Sequence, residues 1–487
     1  MIHDLKNPDL FRQSAFICGE WVPAENGAAI EVDDPATGAA IGLVPDCTAA
    51  DTERAIAAAD AAFAPWRALT AGARAAILER WHALVLANVG DLARIMTAEQ
   101  GKPLAESEGE IRYAATFIKW FAEEGRRASG HDVLAPEANR RIFVMKEPIG
   151  VAAAITPWNF PAAMITRKCA PALAAGCPVI VKPSDLTPFT ALALARLAEQ
   201  AGFPKGTINV LTGRPEAIGG AITGSPVVRK LSFTGSTRVG SLLLRQCADT
   251  VKRTSMELGG NAPLIVFDDA DLDIAVQSTM VSKFRNSGQT CVCANRILVQ
   301  DAVYDEFAAR LAKEVTRLTV GPGAYAGVTM GPLINRVAAQ KVEGHIDDAL
   351  SRGATLYASG HSPMPFDRFI APVVLTGATH DMLLANEETF GPVAPLFRFG
   401  SEDEAIAMAN ATEYGLASYF YTENLHRAFR VAERLEAGMV ALNTGSIAME
   451  MAPFGGAKQS GLGREGGRAG LEEYLETKAF HIAGLKL

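Results

Sequence analysis

The sequence predicts an α/β fold with a doubly wound parallel sheet, a second α/β unit and a small β-hairpin arm. From about residue 150, short apolar runs alternate with helical stretches, and a second alternating region follows Glu257. Residues 140–147 alternate apolar and charged side chains, as an extended arm would. Regular alternation of strands and helices is typical of a parallel sheet covered by helices on both faces.

The first alternating region contains four strand–helix units. Strands are predicted over residues 150–156, 179–182, 208–211 and 230–233. Helices are predicted over residues 161–175, 188–201, 215–223 and 238–247. Pro161 suits the first turn of its helix, where no backbone N–H is needed, and Gly202 suits a helix end.

The second region and the N-terminal part complete the predicted elements. Strands over residues 263–267 and 296–299 alternate with helices over residues 272–284 and 304–318. Helices over residues 52–63, 71–88 and 92–99 form an Ala-rich layer. Because the chain has 487 residues, two or three domains are expected.

Composition is that of an ordinary globular protein, with 49% hydrophobic and 21% charged residues. A formal net charge of -8 argues against a non-specific nucleic-acid binder, and no apolar run reaches membrane-spanning length. Seven scattered cysteines do not resemble a disulfide framework, and eight histidines without ligand spacing predict no metal site. No signal-peptide pattern opens the sequence, so a cytoplasmic location is predicted.

A candidate thiol nucleophile and a candidate base lie a short way apart in the sequence. Cys291 follows Gly288, Gln289 and Thr290, a polar stretch unlike a protein core, whereas most lone cysteines are buried structural thiols. Glu257 precedes a Gly-Gly pair that lets backbone approach a site closely, although a Glu at a strand end is commonly just exposed. A thiol with a carboxylate base suits a reaction that forms a thioester and then hydrolyses it.

A candidate oxyanion donor stands at a predicted strand–helix junction. The Asn159 amide is able to donate to a developing alkoxide, with the Cys291 backbone N–H as second donor. The same Asn also suits a helix N-cap ahead of Pro161. The segments around Asn159, Glu257 and Cys291 together resemble the aldehyde dehydrogenase superfamily.

The resemblance extends from Gly19 to Glu476. It implies that Cys291 adds to an aldehyde, that Asn159 binds the oxyanion and that Glu257 activates the hydrolytic water. It also implies three domains. They are an NAD-binding domain of residues 1–125 and 146–257, a catalytic domain of residues 258–465, and an oligomerisation arm of residues 126–145 and 466–487. Homodimers or homotetramers are expected.

Several segments are candidates for cofactor binding. Gly235 and Ser236 stand where a strand gives way to a helix, and backbone N–H groups at a helix N-terminus bind phosphate. In the resembled family, the Lys at the position of Lys182 contacts the adenosine ribose, and an acid three residues on favours NAD by bonding the 2′-hydroxyl. Here that acid is Asp185 rather than the usual Glu, so NAD is predicted and NADP stays open. The alternative for Asp185 is a helix N-cap.

The resemblance assigns the remaining cofactor contacts and raises one regulatory question. Glu388 would bond the nicotinamide ribose and Phe390 would pack beside the nicotinamide ring. Further implied contacts are Thr156, Trp158, Ser184 and Leu258. In some similar enzymes a Cys-x-Cys pair forms a reversible disulfide, which for Cys291 and Cys293 would need a strained loop. The alternative for Cys293 is a packing thiol.

The stretch from Phe284 to Arg296 is similar to the succinate-semialdehyde dehydrogenase subfamily, in which two arginines hold the substrate carboxylate. The matching positions are Arg167 and Arg285, and the alternative for each is a structural ion pair. Where that subfamily has a Ser that helps to bind the carboxylate, this chain has Ala448. Either Ser446 substitutes for it, or the substrate is longer, such as glutarate semialdehyde, or is not acidic.

Two other classes of function stay open from the sequence. A non-enzymatic, cofactor-binding structural protein would not need the intact Cys291, Glu257 and Asn159. A thiol hydrolase would have no use for the Gly235 turn or for Lys182. The expected partners are a small-molecule aldehyde and further copies of the chain, with no nucleic acid and no membrane.

Overall fold

The computed structural model describes residues 2–362 and 367–485. In chain order, the strands are β1 (Ala15–Ile17), β2 (Glu20–Val22), β3 (Ala29–Asp33), β4 (Ala40–Pro45), β5 (His131–Val133), β6 (Arg141–Pro148), β7 (Val151–Ile155), β8 (Val179–Lys182), β9 (Ile208–Val210), β10 (Val228–Thr234), β11 (Arg253–Glu257), β12 (Ala262–Val266), β13 (Ala294–Gln300), β14 (Thr355–Ser359), β15 (Val373–Thr376), β16 (Val393–Phe399), β17 (Tyr414–Gly415), β18 (Ala417–Tyr421), β19 (Met439–Leu442), β20 (Ala457–Lys458), β21 (Gly461–Leu462) and β22 (Leu475–Ile482). The helices are α1 (Ala49–Ala68), α2 (Ala71–Ala87), α3 (Val89–Gln100), α4 (Leu104–Glu124), α5 (Ala163–Ala175), α6 (Phe189–Ala201), α7 (Pro215–Gly224), α8 (Thr237–Ala248), α9 (Leu272–Phe284), α10 (Tyr304–Val315), α11 (Arg336–Ser351), α12 (Leu383–Asn386), α13 (Glu402–Asn410), α14 (Leu425–Arg434) and α15 (Gly467–Glu472).

An eight-stranded sheet in the order β2-β1-β9-β8-β7-β10-β11-β21 forms the first layer. Its central strands, from β9 to β11, run parallel, as the alternating pattern predicted. Ile155 pairs with both Lys182 and Phe233, and Thr234 pairs with Glu257. The carboxyl ends of β8, β7, β10 and β11 therefore meet at one edge, which is where open parallel sheets bind ligands.

A seven-stranded sheet in the order β14-β15-β16-β13-β12-β18-β19 forms the second unit. All of its neighbouring strands are parallel except the β14–β15 pair at one edge. Its central strands β16, β13, β12 and β18 are mostly apolar and almost wholly buried, as parallel strands between helices must be. The α/β fold class with two parallel sheets is confirmed.

The predicted arm is a three-stranded sheet, β22-β6-β5, in which a C-terminal strand joins the hairpin of β5 and β6. The C-terminal β22 pairs antiparallel with β6 along its whole length, from Leu475 with Pro148 to Ile482 with Arg141. The bounds of the three predicted domains stay a prediction. Within the described residues, no helix combines the length and apolar character needed to cross a membrane.

Most predicted helices of the alternating regions are confirmed to within a few residues, but two N-terminal features were not predicted correctly. Helix α1 continues past Pro65, where the prediction ended near residue 63. The buried Trp66 side chain donates to the backbone oxygen of Leu173 over 3.2 Å, and this contact holds the last turn in place. Helix α4 was missed, although its buried Ile111, Ala115 and Ile118 follow helical spacing.

Candidate active site

Two cavities meet at Cys291. The first, of about 340 Å³, is lined by side chains that include Tyr113, Met164, Arg167, Arg285, Ser446 and Phe454. The second, of about 290 Å³, is lined by residues that include Trp158, Gly235, Ser236, Leu258, Glu388 and Phe390. Cys291 belongs to the wall of both cavities, so its thiol is within reach of a molecule bound in either one.

The turn before Cys291 has a backbone conformation that few residues adopt. Asn286, Ser287 and Gly288 have successive φ values of 52°, 57° and 75°, all in the left-handed region. A Cβ on Gly288 would lie 2.2 Å from a backbone oxygen of the facing loop, so only glycine fits there. The buried Gln289 side chain braces the turn by donating to the Asn286 carbonyl over 3.1 Å.

The thiol of Cys291 lies in surroundings that favour its neutral form. Burial, followed by the nearby Glu388 carboxylate, raises the pKa of Cys291 to about 12, and Arg167 acts in the opposite direction. Cys293 is also a free thiol, and its Sγ donates to the Lys283 carbonyl over 3.5 Å. A reversible disulfide between Cys291 and Cys293 stays a hypothesis, beside the packing thiol that the sequence also allows.

Glu257 ends β11 and is only 2% exposed. Neither of its carboxylate oxygens has a hydrogen-bond partner among the described residues. A Cβ on Gly455 would lie 2.8 Å from its Oε1, which explains why glycine stands beside this carboxylate. Burial, and then the Glu465 carboxylate, raise the pKa of Glu257 well above its usual value. An uncommitted carboxylate with a raised pKa is suited to accept a proton from water near neutral pH.

Asn159 lies in the turn between β7 and α5 and is buried. Its Nδ2 donates to the Gln289 carbonyl over 3.1 Å, which engages one amide hydrogen and leaves the other for a ligand. The N-cap alternative is not observed, because the cap residue of α5 is Ala162 and no side-chain cap bond is present.

A pair of buried charges behind Glu257 escaped the sequence analysis. The Lys168 ammonium bonds the Glu465 carboxylate, and it also bonds the Thr234 hydroxyl over 2.5 Å. The Glu465 Oε2 lies 3.7 Å from a guanidinium nitrogen of Arg167. One signal was available, because Lys168 follows Arg167 in a helix whose residues are all buried, and buried cations require anionic partners.

The two candidate arginines line the first cavity in different ways. Arg167 is buried, donates to the Tyr113 hydroxyl over 2.7 Å, and lies 4.1 Å from the centroid of the Phe454 ring. Its Nε and Nη1 have no hydrogen-bond partner among the described residues. Arg285 is exposed and lies 5.3 Å from the centroid of the Phe160 ring. Arg167 is therefore partly a structural ion-pair member, whereas Arg285 faces the cavity as an exposed cation.

Ser446 and Ala448 both line this first cavity. The methyl group of Ala448 therefore faces the space in which the resembled subfamily has a hydroxyl. Ser446 brings the hydroxyl closest to that position along the chain, two residues away.

The second cavity has the donors that a dinucleotide requires. Ser236 caps the N-terminus of α8 by accepting from the Val239 N–H over 3.4 Å, and Gly235 precedes it. The free N–H groups and the dipole of such a helix end favour phosphate. The hydroxyl of Thr156, at the end of β7, is buried with no partner among the described residues.

Glu388 and Phe390 form the opposite wall of the second cavity. The Gly260 N–H donates to Glu388 Oε1 over 3.1 Å, and burial raises the pKa of Glu388 to about 7. Phe390 adopts a φ of 56° and packs edge-on against Trp158, with ring centroids 5.6 Å apart. The two rings stand nearly perpendicular and line the cavity beside the thiol with apolar surface.

Lys182 ends the neighbouring strand β8, and Ser184 and Asp185 follow it. None of the three contributes to the lining of the second cavity. Lys182 is buried, and burial lowers the pKa of its ammonium. The Ser184 hydroxyl accepts from the Leu186 N–H over 3.2 Å, and Asp185 is half-buried. A long ligand that starts in the second cavity would cross the carboxyl edge of the sheet toward these residues, so the residues present fit a dinucleotide.

The comparisons with known proteins agree over the whole chain. The profile described as “Aldehyde dehydrogenase family” matches residues 21–480. A 3-sulfolactaldehyde dehydrogenase of Pseudomonas putida is 58% identical over 482 residues, covering 99% of both chains. A glutarate-semialdehyde dehydrogenase of Pseudomonas aeruginosa is 56% identical, covering 99% of this chain and 100% of its own.

A further enzyme and a solved crystal structure are also similar to this chain over nearly its whole length. The succinate-semialdehyde dehydrogenase [NADP(+)] of Escherichia coli is 57% identical, covering 97% of this chain and 98% of its own. The crystal structure of succinate-semialdehyde dehydrogenase from Burkholderia pseudomallei has a TM-score of 0.97 and 60% identity, covering 99% of this chain and 100% of its own.

Proposed function

Because the chain belongs to the aldehyde dehydrogenase family, we propose that it oxidises a small aldehyde carrying a terminal acid group, with succinate semialdehyde as the first candidate. Oxidation of an aldehyde with NAD or NADP is the activity of this family. The observation that carries the proposal is the position of Cys291 in the walls of both cavities. One cavity suits an acidic substrate and the other suits a dinucleotide.

Oxidation begins when the Cys291 thiol loses its proton to solvent water and the sulfur adds to the aldehyde carbon. The carbonyl oxygen becomes an alkoxide, which accepts hydrogen bonds from the free amide hydrogen of Asn159 and from the Cys291 N–H. A bound nicotinamide ring supplies the hydride acceptor. The carbon–oxygen double bond then reforms, and the substrate is left as a thioester on Cys291.

Hydrolysis returns Cys291 to its starting state. Glu257 takes a proton from a water molecule, whose oxygen adds to the thioester carbon, and the carbon–sulfur bond breaks. The acid leaves and the sulfur is protonated again. The uncommitted oxygens of Glu257 support this role, because no hydrogen bond to a described residue has to be broken before the carboxylate meets water.

The cofactor is held, in this proposal, by the edge of the eight-stranded sheet. Gly235, Ser236 and the α8 N-terminus bind phosphate, while Lys182 and Asp185 bond the adenosine ribose. Further cofactor contacts come from Thr156, Trp158, Ser184, Leu258, Glu388 and Phe390. NAD is our first choice because the Asp185 carboxylate would repel a 2′-phosphate.

The terminal acid group of the substrate is bound, in this proposal, by Arg167 and Arg285, with Ser446 as an added donor. Guanidinium groups bind carboxylates and other oxyanions through paired hydrogen bonds. The names of the similar enzymes favour three classes of substrate: a four-carbon semialdehyde, a five-carbon semialdehyde and a sulfonated aldehyde. Ala448 leaves more room than a Ser would, which favours the longer or larger acids among them.

The protein also assembles, in this proposal, into a homodimer or homotetramer through the three-stranded sheet. Leu134, directly after β5, is 93% exposed, and Phe143 of β6 and Phe480 of β22 are about half exposed. Exposed apolar side chains on and beside one sheet are typical of subunit interfaces. All seven cysteines, each within the described residues, are free, which supports a reducing compartment such as the cytoplasm.

The test is the initial rate of reduced-cofactor formation with NAD and with NADP. Succinate semialdehyde, glutarate semialdehyde, sulfolactaldehyde, propanal and benzaldehyde are compared at equal concentrations. We expect the acidic aldehydes to have the higher kcat/KM. Equal turnover of propanal would remove the acid-binding proposal, and no turnover of any aldehyde would remove the dehydrogenase proposal.

A further inference from the structure

A buried ion pair lies directly behind Asn159. The Lys102 ammonium lies 2.5 Å from Glu110 Oε2, and both side chains are at most 2% exposed. Lys102 belongs to the turn between α3 and α4, and Glu110 to α4. Burying two charges is costly unless their geometry is specific and their remaining donors and acceptors are satisfied. The bonds that satisfy them all lead to the segment that carries Asn159.

Lys102 and Glu110 hold that segment at both ends. Lys102 Nζ donates to the backbone carbonyl of Asn159 over 2.7 Å. Glu110 Oε1 accepts from the backbone N–H groups of Ala162 and Ala163, over 2.9 and 3.2 Å, at the start of α5. A carboxylate at a helix N-terminus is also favoured by the helix dipole. One ion pair thus determines where the backbone of residues 159–163 lies.

Hydrogen bonds also connect Lys102 to the turn before Cys291. Gln100 Oε1 accepts from the Lys102 N–H over 3.0 Å, and Gln100 Nε2 donates to Asn286 Oδ1 over 3.0 Å. Asn286 Nδ2 then donates to the Asn159 carbonyl over 3.0 Å. The Asn159 carbonyl therefore has two donors, one from Lys102 and one from the turn before Cys291.

We propose that Lys102 and Glu110 are positioning residues that orient the Asn159 amide toward the oxyanion. The inference rests on the proposed function, because an oxyanion forms only if an aldehyde is the substrate. The direction of a side chain follows its backbone, and the Asn159 backbone lies in an irregular turn with no helix or sheet bonds to hold it. A displacement of the amide by about an ångström weakens a hydrogen bond to the alkoxide substantially.

Lys102 also lines the first cavity, which gives a competing role to be tested. A residue that binds the substrate acid would change KM for acidic aldehydes when removed. A residue that orients Asn159 would instead lower kcat for acidic and uncharged aldehydes alike. The two roles therefore separate in the KM and kcat values of one variant.

The experiment is a double-mutant cycle of Lys102→Met and Asn159→Ala in the full-length protein. We expect Lys102→Met to lower kcat about tenfold to 100-fold, with KM nearly unchanged for succinate semialdehyde and for propanal. In the Asn159→Ala background, the same change should lower kcat by less than about twofold, because the amide to be oriented is gone. Independent, multiplicative effects would overturn the proposal, and so would a rise in KM confined to acidic aldehydes.

A second measurement separates positioning from general damage to the site. Iodoacetamide alkylates Cys291 without an oxyanion, so the alkylation rate of Lys102→Met should match that of the unmodified protein. A rate lowered by the same factor as kcat would overturn the proposal in favour of a merely structural role. The matched control is Lys119→Met on α4, which removes an exposed ion pair with Glu123 and should change none of these quantities.

A further variant covers the case in which Lys102→Met does not fold. Glu110→Gln retains an oxygen for the α5 N–H groups but removes the charge that holds Lys102. It should also lower kcat, and its effect should likewise vanish in the Asn159→Ala background. The unmodified protein is measured alongside. If it oxidises aldehydes but the effects of the two substitutions on kcat multiply, only the positioning role is overturned. If it oxidises no aldehyde, both proposals are overturned.

Discussion

The side-chain amide of Asn159 donates to the backbone carbonyl of Gln289 over 3.1 Å, although 130 residues separate the two in sequence. Gln289 lies two residues before Cys291 and directly follows the left-handed turn of residues 286–288. The proposed oxyanion donor is thus attached directly to the nucleophile segment. A shift of the turn before Cys291 would therefore also displace the Asn159 amide.

Replacing Asn159 with Ala should lower kcat without a comparable change in KM. The amide bonds the alkoxide more strongly than the neutral aldehyde, and loss of one such donor typically lowers the rate about 10²- to 10³-fold. Steady-state kinetics with succinate semialdehyde measure this effect. A rise in KM at constant kcat would mean that Asn159 binds the ground state and has no oxyanion role.

Replacing Glu257 with Gln should separate the two halves of the reaction. The thioester still forms, because the glutamine does not affect hydride transfer, but water no longer has a base in reach. Rapid mixing should then show a burst of about one reduced cofactor per active site, followed by a slow steady state. If the burst is absent as well, Glu257 acts before the thioester forms.

The alkylation rate of Cys291 should depend steeply on pH in the cofactor-free protein. Its pKa is raised to about 12, so the thiol is neutral over the accessible range and the reactive thiolate grows with pH. We expect the iodoacetamide rate to rise about tenfold per pH unit between about pH 7 and about pH 9. A plateau within that range would mean that the thiol is much more acidic. Cys293→Ala is the matched control and should leave the profile unchanged.

Replacing Arg285 with Ala should weaken the binding of acidic aldehydes selectively. Hydrogen bonds between charged groups contribute about 1.5–3 kcal/mol, so KM for succinate semialdehyde should rise about tenfold to 100-fold. KM for propanal should not change, and neither should the melting temperature, because Arg285 is exposed. Equal losses for both aldehydes would contradict an acid-binding role.

Replacing Arg167 with Ala should affect stability as well as binding, unlike the same change at Arg285. Removal of Arg167 leaves the buried Glu465 with one cationic neighbour fewer, so Arg167→Ala should lower the melting temperature as well as the affinity for acidic aldehydes. A variant that keeps its stability and loses only affinity would show that the ion pair with Glu465 contributes little.

How closely each predicted helix matched the observed one depended on signals near its ends in the sequence. Helix α9 was predicted with its observed bounds, because Asp271 caps its first turn and the apolar pattern ends at Phe284. Helix α1 was predicted too short, because the sequence near Pro65 signals an end, whereas the distant Leu173 carbonyl stabilises another turn. Local pattern therefore predicts an element well until a tertiary contact overrides it.

Within the candidate site, the sequence was informative about residue types and uninformative about their surroundings. The Gly-Gly pair after Glu257 predicted close approach of the backbone, and a Cβ on Gly260 would indeed lie 2.4 Å from the Cys291 carbonyl oxygen. Lys168 and Glu465 were not connected, because they are 297 positions apart and nothing near Lys168 in the sequence identifies the anion that pairs with it.

The amino-acid sequence by itself determined the α/β class and the identities of the thiol, the carboxylate and the amide, because strand–helix alternation and short motifs are local properties of a chain. Only the tertiary structure decided that Cys291 belongs to two cavities, that Glu257 has no hydrogen-bond partner in the described part of the chain, and that Lys102 bonds the Asn159 carbonyl. Burial and hydrogen bonding between distant residues depend on how the sheets and helices pack, which no local pattern specifies.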